Sequence, residues 1–397
     1  MAVVSDLVMG GFCDAQFLRV QQQFEENMRS GNEVGAAVAI VRQGKLVVDL
    51  WAGYSDKKAT IPWKEDSIVN VFSSTKGIAA LCVQHALDNR LLDLEKKVTY
   101  FWPEFGQKGK RDVSISWLLS HRSGLPALRD PVPDNALFDW DYMTARFADE
   151  RPWWEPGVGH GYHMVSGGWM IGEVFKRALG CSINEYLQAE ITSTLGVDFH
   201  IGVPEDAMHR VAQLKSSSSV PQNGRIFLFD KIVADREGVL AKALMNPQSL
   251  MTSSNRDEWK RMELPSATGH SNARGLATLY GAAVSGVVNG DVGAGSFLSE
   301  QAIQRCGDVA SEGVDNVLDI PTRFGPGFLL QQTDNPETGF GSGQRAFGHP
   351  GSGGSLGFAD PEQEIGFGYV MNQMGPYLMV DPRARSLVEA MYESLEA

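Results

Sequence analysis

The residues of this chain that could do chemistry begin with serines that have a lysine three positions on, because lysine at that spacing on a helix returns to the face of the serine and can take its proton. The tetrapeptide S-x-x-K is short, and a chain of this length holds about one or two by chance. It occurs at Ser55-Asp56-Lys57-Lys58 and at Ser73-Ser74-Thr75-Lys76. The first lies in a polar stretch with no apolar helical run after it and reads as a surface turn. The second follows the apolar run Ile68-Val69-Asn70-Val71-Phe72 and opens a helical pattern, which puts Ser73 at a helix N-terminus where backbone N–H groups favour negative charge. The ordinary alternatives are an N-cap for Ser73 and a solvated helix position for Lys76.

A rival nucleophile is Ser355, in Gly353-Gly354-Ser355-Leu356-Gly357, which formally matches the G-x-S-x-G elbow. That elbow needs a strand, a sharp turn and a helix, with an acid and a histidine following in the chain. Here the serine is followed by Leu356-Gly357-Phe358-Ala359-Asp360-Pro361 and another strand-like run, and no histidine follows it. The context is that of a hairpin, and the elbow reading is set aside.

The elements that must position these groups are legible as periodicity. Apolar residues at helical spacing predict a helix over 14–29, and two β-like runs at 36–41 and 45–51, separated by Arg42-Gln43-Gly44, predict an antiparallel hairpin. A strand is expected over 68–72, then helices over 78–87, 114–121, 164–179, 183–195 and 273–288. Strands are expected again over 324–331, 355–359 and 365–371, and a closing helix over 383–395. Strands at both ends of a helical middle imply an α/β chain: a discontinuous sheet domain of residues 14–72 plus 322–397, and a mostly helical domain of 73–321, with the active site between them.

Composition limits the alternatives. The 397 residues carry 35 basic and 48 acidic side chains, a formal net charge of −13, which argues against a protein that tracks nucleic-acid phosphates. With 43% apolar and 21% charged residues the chain can bury a large core, and 43 glycines against 18 prolines indicate tight turns without low complexity. Cys13, Cys82, Cys181 and Cys306 are far apart, with no C-x-x-C or Cys/His cluster for zinc, and read as reduced thiols. Residues 1–13 contain Asp6 and no lysine or arginine, unlike a secretory signal, so a cytoplasmic protein is expected. The uncharged run 275–290 falls short of the roughly 18 to 20 apolar residues of a membrane span.

Taken in order, Ser73-x-x-Lys76, an isolated Tyr162, and His349-Pro350-Gly351 on a late strand resemble the three motifs of serine β-lactamase-like proteins. The chain is most similar to the family VIII carboxylesterases, relatives of class C β-lactamases and D-alanyl-D-alanine peptidases. Leu118-Leu119-Ser120-His121-Arg122-Ser123-Gly124-Leu125-Pro126, Trp154-Glu155-Pro156-Gly157 and Phe347-Gly348-His349-Pro350-Gly351 support it, and the likeness spans about residues 35–372. Two departures stand out. Tyr162-His163-Met164 lacks the asparagine of the usual Y-x-N or S-x-N motif, although Ser253-Ser254-Asn255 offers an S-x-N later, and His349 replaces the lysine of K-T-G. A mostly neutral histidine holds an anionic substrate less firmly than lysine, so both losses favour esters over β-lactams or peptide carboxylates.

The resemblance implies a β-lactamase-like fold, an antiparallel sheet flanked by helices. It implies Ser73 as nucleophile, Lys76 and Tyr162 as its proton-transfer pair, and an oxyanion hole made by the backbone N–H groups of Ser73 and Ser352. Tyr162, in a loop after Pro156, Gly157 and Gly159, needs a cationic neighbour to act as a base. His349 and Gly351 are expected to line the substrate site, and Trp153 and Trp154 are candidate walls of an acyl or alcohol pocket, with core packing as their ordinary alternative. His121 reads as a structural histidine. The activity implied is hydrolysis of short-chain carboxylic esters of small molecules through an acyl-serine, with a weak β-lactamase side activity as a further expectation, and with no metal or organic cofactor, no nucleic-acid partner and no membrane partner. β-Lactam or D-alanyl peptide hydrolysis, acyl transfer to a small alcohol, and a non-catalytic binding module are the alternatives. Oligomeric state is not encoded in any motif.

Overall fold

The structure is a computed structural model that describes residues 7–216, 227–285, 296–333, 335, 337–340 and 343–396. Residues 286–288 of the helix expected over 273–288, residues 286–290 of the uncharged run and residues 1–6 lie outside the described residues.

Twelve strands are described: β1 Met9–Cys13, β2 Gly35–Arg42, β3 Lys45–Gly53, β4 Val69–Asn70, β5 Phe199–Ile201, β6 Gly269–Ser271, β7 Ser311–Val314, β8 Pro321–Phe324, β9 Leu329–Leu330, β10 Phe347–Pro350, β11 Leu356–Asp360 and β12 Ile365–Met371. Nine of them form one sheet in the order β1-β3-β2-β12-β11-β10-β9-β8-β7, and every neighbouring pair is antiparallel. The N-terminal hairpin meets the C-terminal strands where β2 pairs with β12, Ile40 opposite Phe367.

Both faces of this sheet are covered, which is why β2 reads as an unbroken apolar run instead of an alternating one. Ala36, Val38 and Ile40 point into a core shared with α1 (Leu18–Arg29) and the C-terminal helix Pro382–Glu396. Ala37, Ala39 and Val41 point to the other side, against the helix Ala273–Ser285 and the helical region beyond it. α1 buries Val20, Phe24 and Met28, one helical stripe as the spacing predicts.

The structure departs from the sequence expectations in several places. The strand expected over 68–72 is only β4, and it belongs to a separate three-stranded sheet, β4-β6-β5, set among the helices. The strand expected over 324–331 is broken into β8 and β9 by a turn in which Gly325 N donates to Phe328 O and Gly327 adopts φ +98°. β1 carries too few apolar residues to announce itself, yet it pairs in register with β3, Met9 opposite Ala52. The helix expected over 114–121 is the single short piece Ile115–Leu119, ended where His121 takes φ +61°. The helical run over 183–195 forms as expected, with a π turn at Leu187–Thr192. The helix Ala273–Ser285 and β7 lie on the large sheet although they come from the middle of the chain.

Candidate active site

The site forms where the first turn of α2 (Ser74–Asp88) meets β10 and two loops. After β4 the chain turns sharply at Phe72, whose φ of +43° is in the left-handed region that a bulky side chain enters only under constraint. Ser73 follows at the head of α2 with helical angles, and its side chain makes no capping bond. The N-cap alternative therefore does not describe Ser73, and its hydroxyl is directed to Lys76, with Nζ 3.0 Å from Oγ.

Lys76 is buried and lines one cavity with Ala79, Ala80, Val83, Leu118 and Ile171, and its Nζ meets three oxygens: Ser73 Oγ, Met164 O at 2.6 Å and Ser266 O at 2.8 Å. Burial holds its ammonium well below the usual lysine range. In the neutral amine the two carbonyls take the two N–H bonds, and the remaining lone pair faces the Ser73 hydroxyl, which is the arrangement of a base.

Tyr162, 1% exposed, stands over this pair: Lys76 Nζ is 5.0 Å from its ring centroid, and its hydroxyl is 3.4 Å from His349 Nε2. Burial pushes the phenol up, a hydrogen bond with Ser73 opposes that shift, and the nearby Asp315 charge adds to it. The phenol is thus held in its neutral form. His349 lies on β10, fully buried, with Nδ1 2.7 Å from Pro350 O; this carbonyl assigns the ring proton to Nδ1 and leaves the Nε2 lone pair for the Tyr162 hydroxyl. Burial pushes its imidazolium down to about 3. The site therefore offers no permanent cation at the position of the K-T-G lysine.

The Beta-lactamase family model matches residues 20–390. The chain belongs to the Beta-lactamase family. It is similar to the crystal structure of a family VIII carboxylesterase, at 34% identity and TM-score 0.88, covering 98% of this chain and 100% of that one. EstA from Arthrobacter nitroguajacolicus Rue61a is 30% identical with TM-score 0.86, covering 98% and 99%. The Esterase/beta-lactamase LipL of Mycobacterium tuberculosis (strain ATCC 25618 / H37Rv) is 29% identical over 375 residues, 94% of this chain and 85% of that protein.

Within this β-lactamase-family site the other residues singled out by sequence fall into place unevenly. Ser352 sits in the turn between β10 and β11, beside Gly351, whose backbone presses on the turn before Ser73: a Cβ there would lie 2.2 Å from Val71 O. Trp154 packs its ring on Gly161, next to Tyr162, and on Val317, while Trp153 donates from Nε1 to Ala127 O at 2.9 Å and carries the Arg129 guanidinium on its face. His121 sets its ring edge-on to Tyr162 and accepts from His163 N at 3.3 Å, the structural part expected of it. Asn255, in the stray S-x-N triplet, pairs with both backbone groups of Leu214 at 2.9 Å. Ser55 donates to Ile61 O in a surface turn. Among the described residues no group of three or more His, Cys, Asp or Glu could hold a metal.

Sequence reasoning missed Asp315. This fully buried carboxylate, in the loop after β7, accepts the Tyr162 N–H at 2.9 Å and also those of Val317 and Leu318, each at 2.8 Å. With Asn316 N on His160 O and Gly161 N on His121 O, it fixes the backbone on both sides of the tyrosine. The faint signal was an aspartate set among Val314, Val317, Leu318 and Ile320. The two carbonyls that hold Lys76 had no sequence signal at all, because every residue has one.

Proposed function

We infer that the protein is a serine carboxylesterase in which Ser73 attacks the ester carbonyl, Lys76 takes its proton and Tyr162 relays that proton to the leaving alcohol. The observation that carries this reading is the buried Lys76 amine, two of whose three contacts are backbone carbonyls and the third Ser73 Oγ. As Ser73 Oγ bonds to the acyl carbon, its hydrogen passes to Lys76 Nζ, and the carbonyl oxygen becomes an anion held by the N–H groups of Ser73 and Ser352. When the alkoxide leaves, Tyr162 gives it the hydroxyl proton and regains one from the Lys76 ammonium. Water then repeats the sequence on the acyl-serine, freeing the acid.

The electrostatics favour neutral substrates. With His349 neutral and burial disfavouring the ammonium of Lys76, the site holds the carboxylate of a β-lactam or of a terminal D-alanine poorly, so small uncharged esters suit it best. The likeness to a family VIII carboxylesterase supports the same reading. Among the described residues no helix is long and apolar enough to cross a membrane. The four free thiols fit the reducing, cytoplasmic setting we infer.

Turnover of p-nitrophenyl acetate and butyrate by the wild type and by Ser73→Ala, with a chromogenic cephalosporin alongside, tests this. The variant should lose about ten-thousandfold or more in kcat, and the cephalosporin should be opened far more slowly than the esters. Full ester turnover by Ser73→Ala would reject the nucleophile, and cephalosporin as the better substrate would reject the preference for neutral esters.

A further inference from the structure

We propose that Ser355 is the positioning residue of the oxyanion hole: its buried hydroxyl ties the turn that carries Ser352 to the strained turn that presents Ser73, and so fixes the spacing of their two N–H groups. The proposal rests on the esterase reading above and gives a role to the serine that the elbow motif had singled out for another reason.

Ser355 is 1% exposed, and its Oγ donates to Val71 O at 2.8 Å. That commits its proton to a carbonyl, which is no base, so the Ser74 hydroxyl, 3.2 Å away, is the donor in the Ser74–Ser355 contact. The carbonyl of Ser355 accepts from Gly351 N at 2.7 Å, and Gly354 N closes the turn on Gly351 O at 3.1 Å. Three pieces of chain thus converge on one side chain: the start of β11, the turn of residues 351–354, and residues 71–74 around the nucleophile. There is no slack between them. A Cβ on Gly351 would lie 2.1 Å from Ser355 Oγ and 2.2 Å from Val71 O.

Two further observations say what this tie does. Phe72, between Val71 and Ser73, is held at φ +43°, a conformation that persists only where the surroundings over-determine it, and Val71 O is the acceptor at its near end. The outer side of the 351–354 turn is anchored elsewhere, with Arg383 Nη2 on Gly353 O at 2.8 Å and Gly353 N on Tyr377 O at 2.9 Å. Without the Ser355 hydroxyl, the turn would stay with the C-terminal residues while residues 71–73 relax toward an ordinary backbone, and the two oxyanion donors would part.

The experiment compares wild type, Ser355→Ala, Ser355→Cys and Ser74→Ala for kcat and KM on p-nitrophenyl butyrate and for inhibition by butylboronic acid, whose serine adduct puts an oxygen in the hole. Ser271→Ala, which removes another buried hydroxyl, bonded to Asp198 O at 2.7 Å, controls for stability alone. Ser355→Ala should lower kcat by about 10- to 100-fold, the scale of a small misplacement, leave KM within about twofold, and weaken boronate inhibition in proportion to kcat. Ser355→Cys, a weaker donor, should fall between it and wild type, and Ser271→Ala should change thermal stability but neither kinetic quantity. Should Ser355→Ala not fold, Ser355→Cys and Ser74→Ala carry the same comparison. Wild-type kcat and boronate affinity in Ser355→Ala, or equal kinetic losses in Ser271→Ala, would overturn the proposal and leave the esterase reading intact. Turnover abolished in Ser355→Ala but retained in Ser73→Ala would overturn both.

Discussion

At the scale of single residues, burial acts in opposite senses on Lys76 and Tyr162, the pair proposed to move the proton. The same desolvation lowers Lys76 and raises Tyr162, because the charged form of one is a cation and of the other an anion. A base works above its own pKa, so lowering Lys76 extends the active range downward, and the acid limb of the pH dependence of kcat/KM should lie well below the ordinary lysine range. Tyr162→Phe keeps the ring packing on Phe324, whose plane is parallel at 1°. It removes the hydroxyl, and with it the contacts to Ser73 and to His349 Nε2. Loss of about 10² to 10⁴ in kcat is expected, with the fold unchanged by circular dichroism; activity within twofold of wild type would show that the leaving alcohol takes its proton directly from Lys76. The lysine was legible in the sequence from its spacing to Ser73, while its protonation state depended on apolar side chains from three separate helices.

At the scale of elements, two glycines decide how closely the helix Ala273–Ser285 can lie on the sheet. A Cβ on Gly366 of β12 would be 2.1 Å from Gly281 N and 2.2 Å from Ala277 O, and one on Gly368 would be 2.2 Å from Ala273 O. Backbone cannot yield as a flexible side chain does. Gly366→Ala is therefore expected to destabilise the protein by about 3 kcal/mol, seen as a lower midpoint in urea, whereas the same change at exposed Gly31, with nothing within 4 Å but φ +78°, costs only backbone strain. A midpoint for Gly366→Ala equal to wild type would mean that helix and sheet separate without cost. The strand itself was evident as an apolar run. The helix was evident too, but its contact with this strand was not, because the glycines that admit it look like turn residues until the partner is known.

At the scale of the whole molecule, the chain ends are joined beneath the site. Glu33, after α1, is buried with Tyr369 of β12, whose hydroxyl donates to it, and with Arg383, whose Nη1 is 3.0 Å from Glu33 Oε2 and which also grips Asp381 and Gly353 O. Burial raises Glu33 from 4.5 to about 7, against the pull of Arg383. Folded Glu33 thus keeps a proton that the unfolded chain gives up above its ordinary value. Its stabilising contribution is complete below the ordinary carboxylate pKa and is lost as pH rises through about 7. Glu33→Gln, neutral at every pH, should flatten the fall in thermal midpoint between pH 5 and 8 that the wild type shows. An unchanged slope would place the titration elsewhere.

The sequence alone determined the order of the chemical groups, Ser73 and Lys76 before Tyr162 before His349, and the class of fold, because motif spacing and apolar periodicity are local properties that survive without a partner. It also set Ser355 apart, though as a rival nucleophile. Only the tertiary structure decided that Lys76 ends on two backbone carbonyls, that Asp315 holds Tyr162 from 153 residues away, and that the Ser355 hydroxyl meets Val71 across 284 residues. The physical reason is the same in each case. Hydrogen bonds to backbone groups carry no residue signature, and the low dielectric that sets the proton affinities exists only once distant apolar segments have closed over the site.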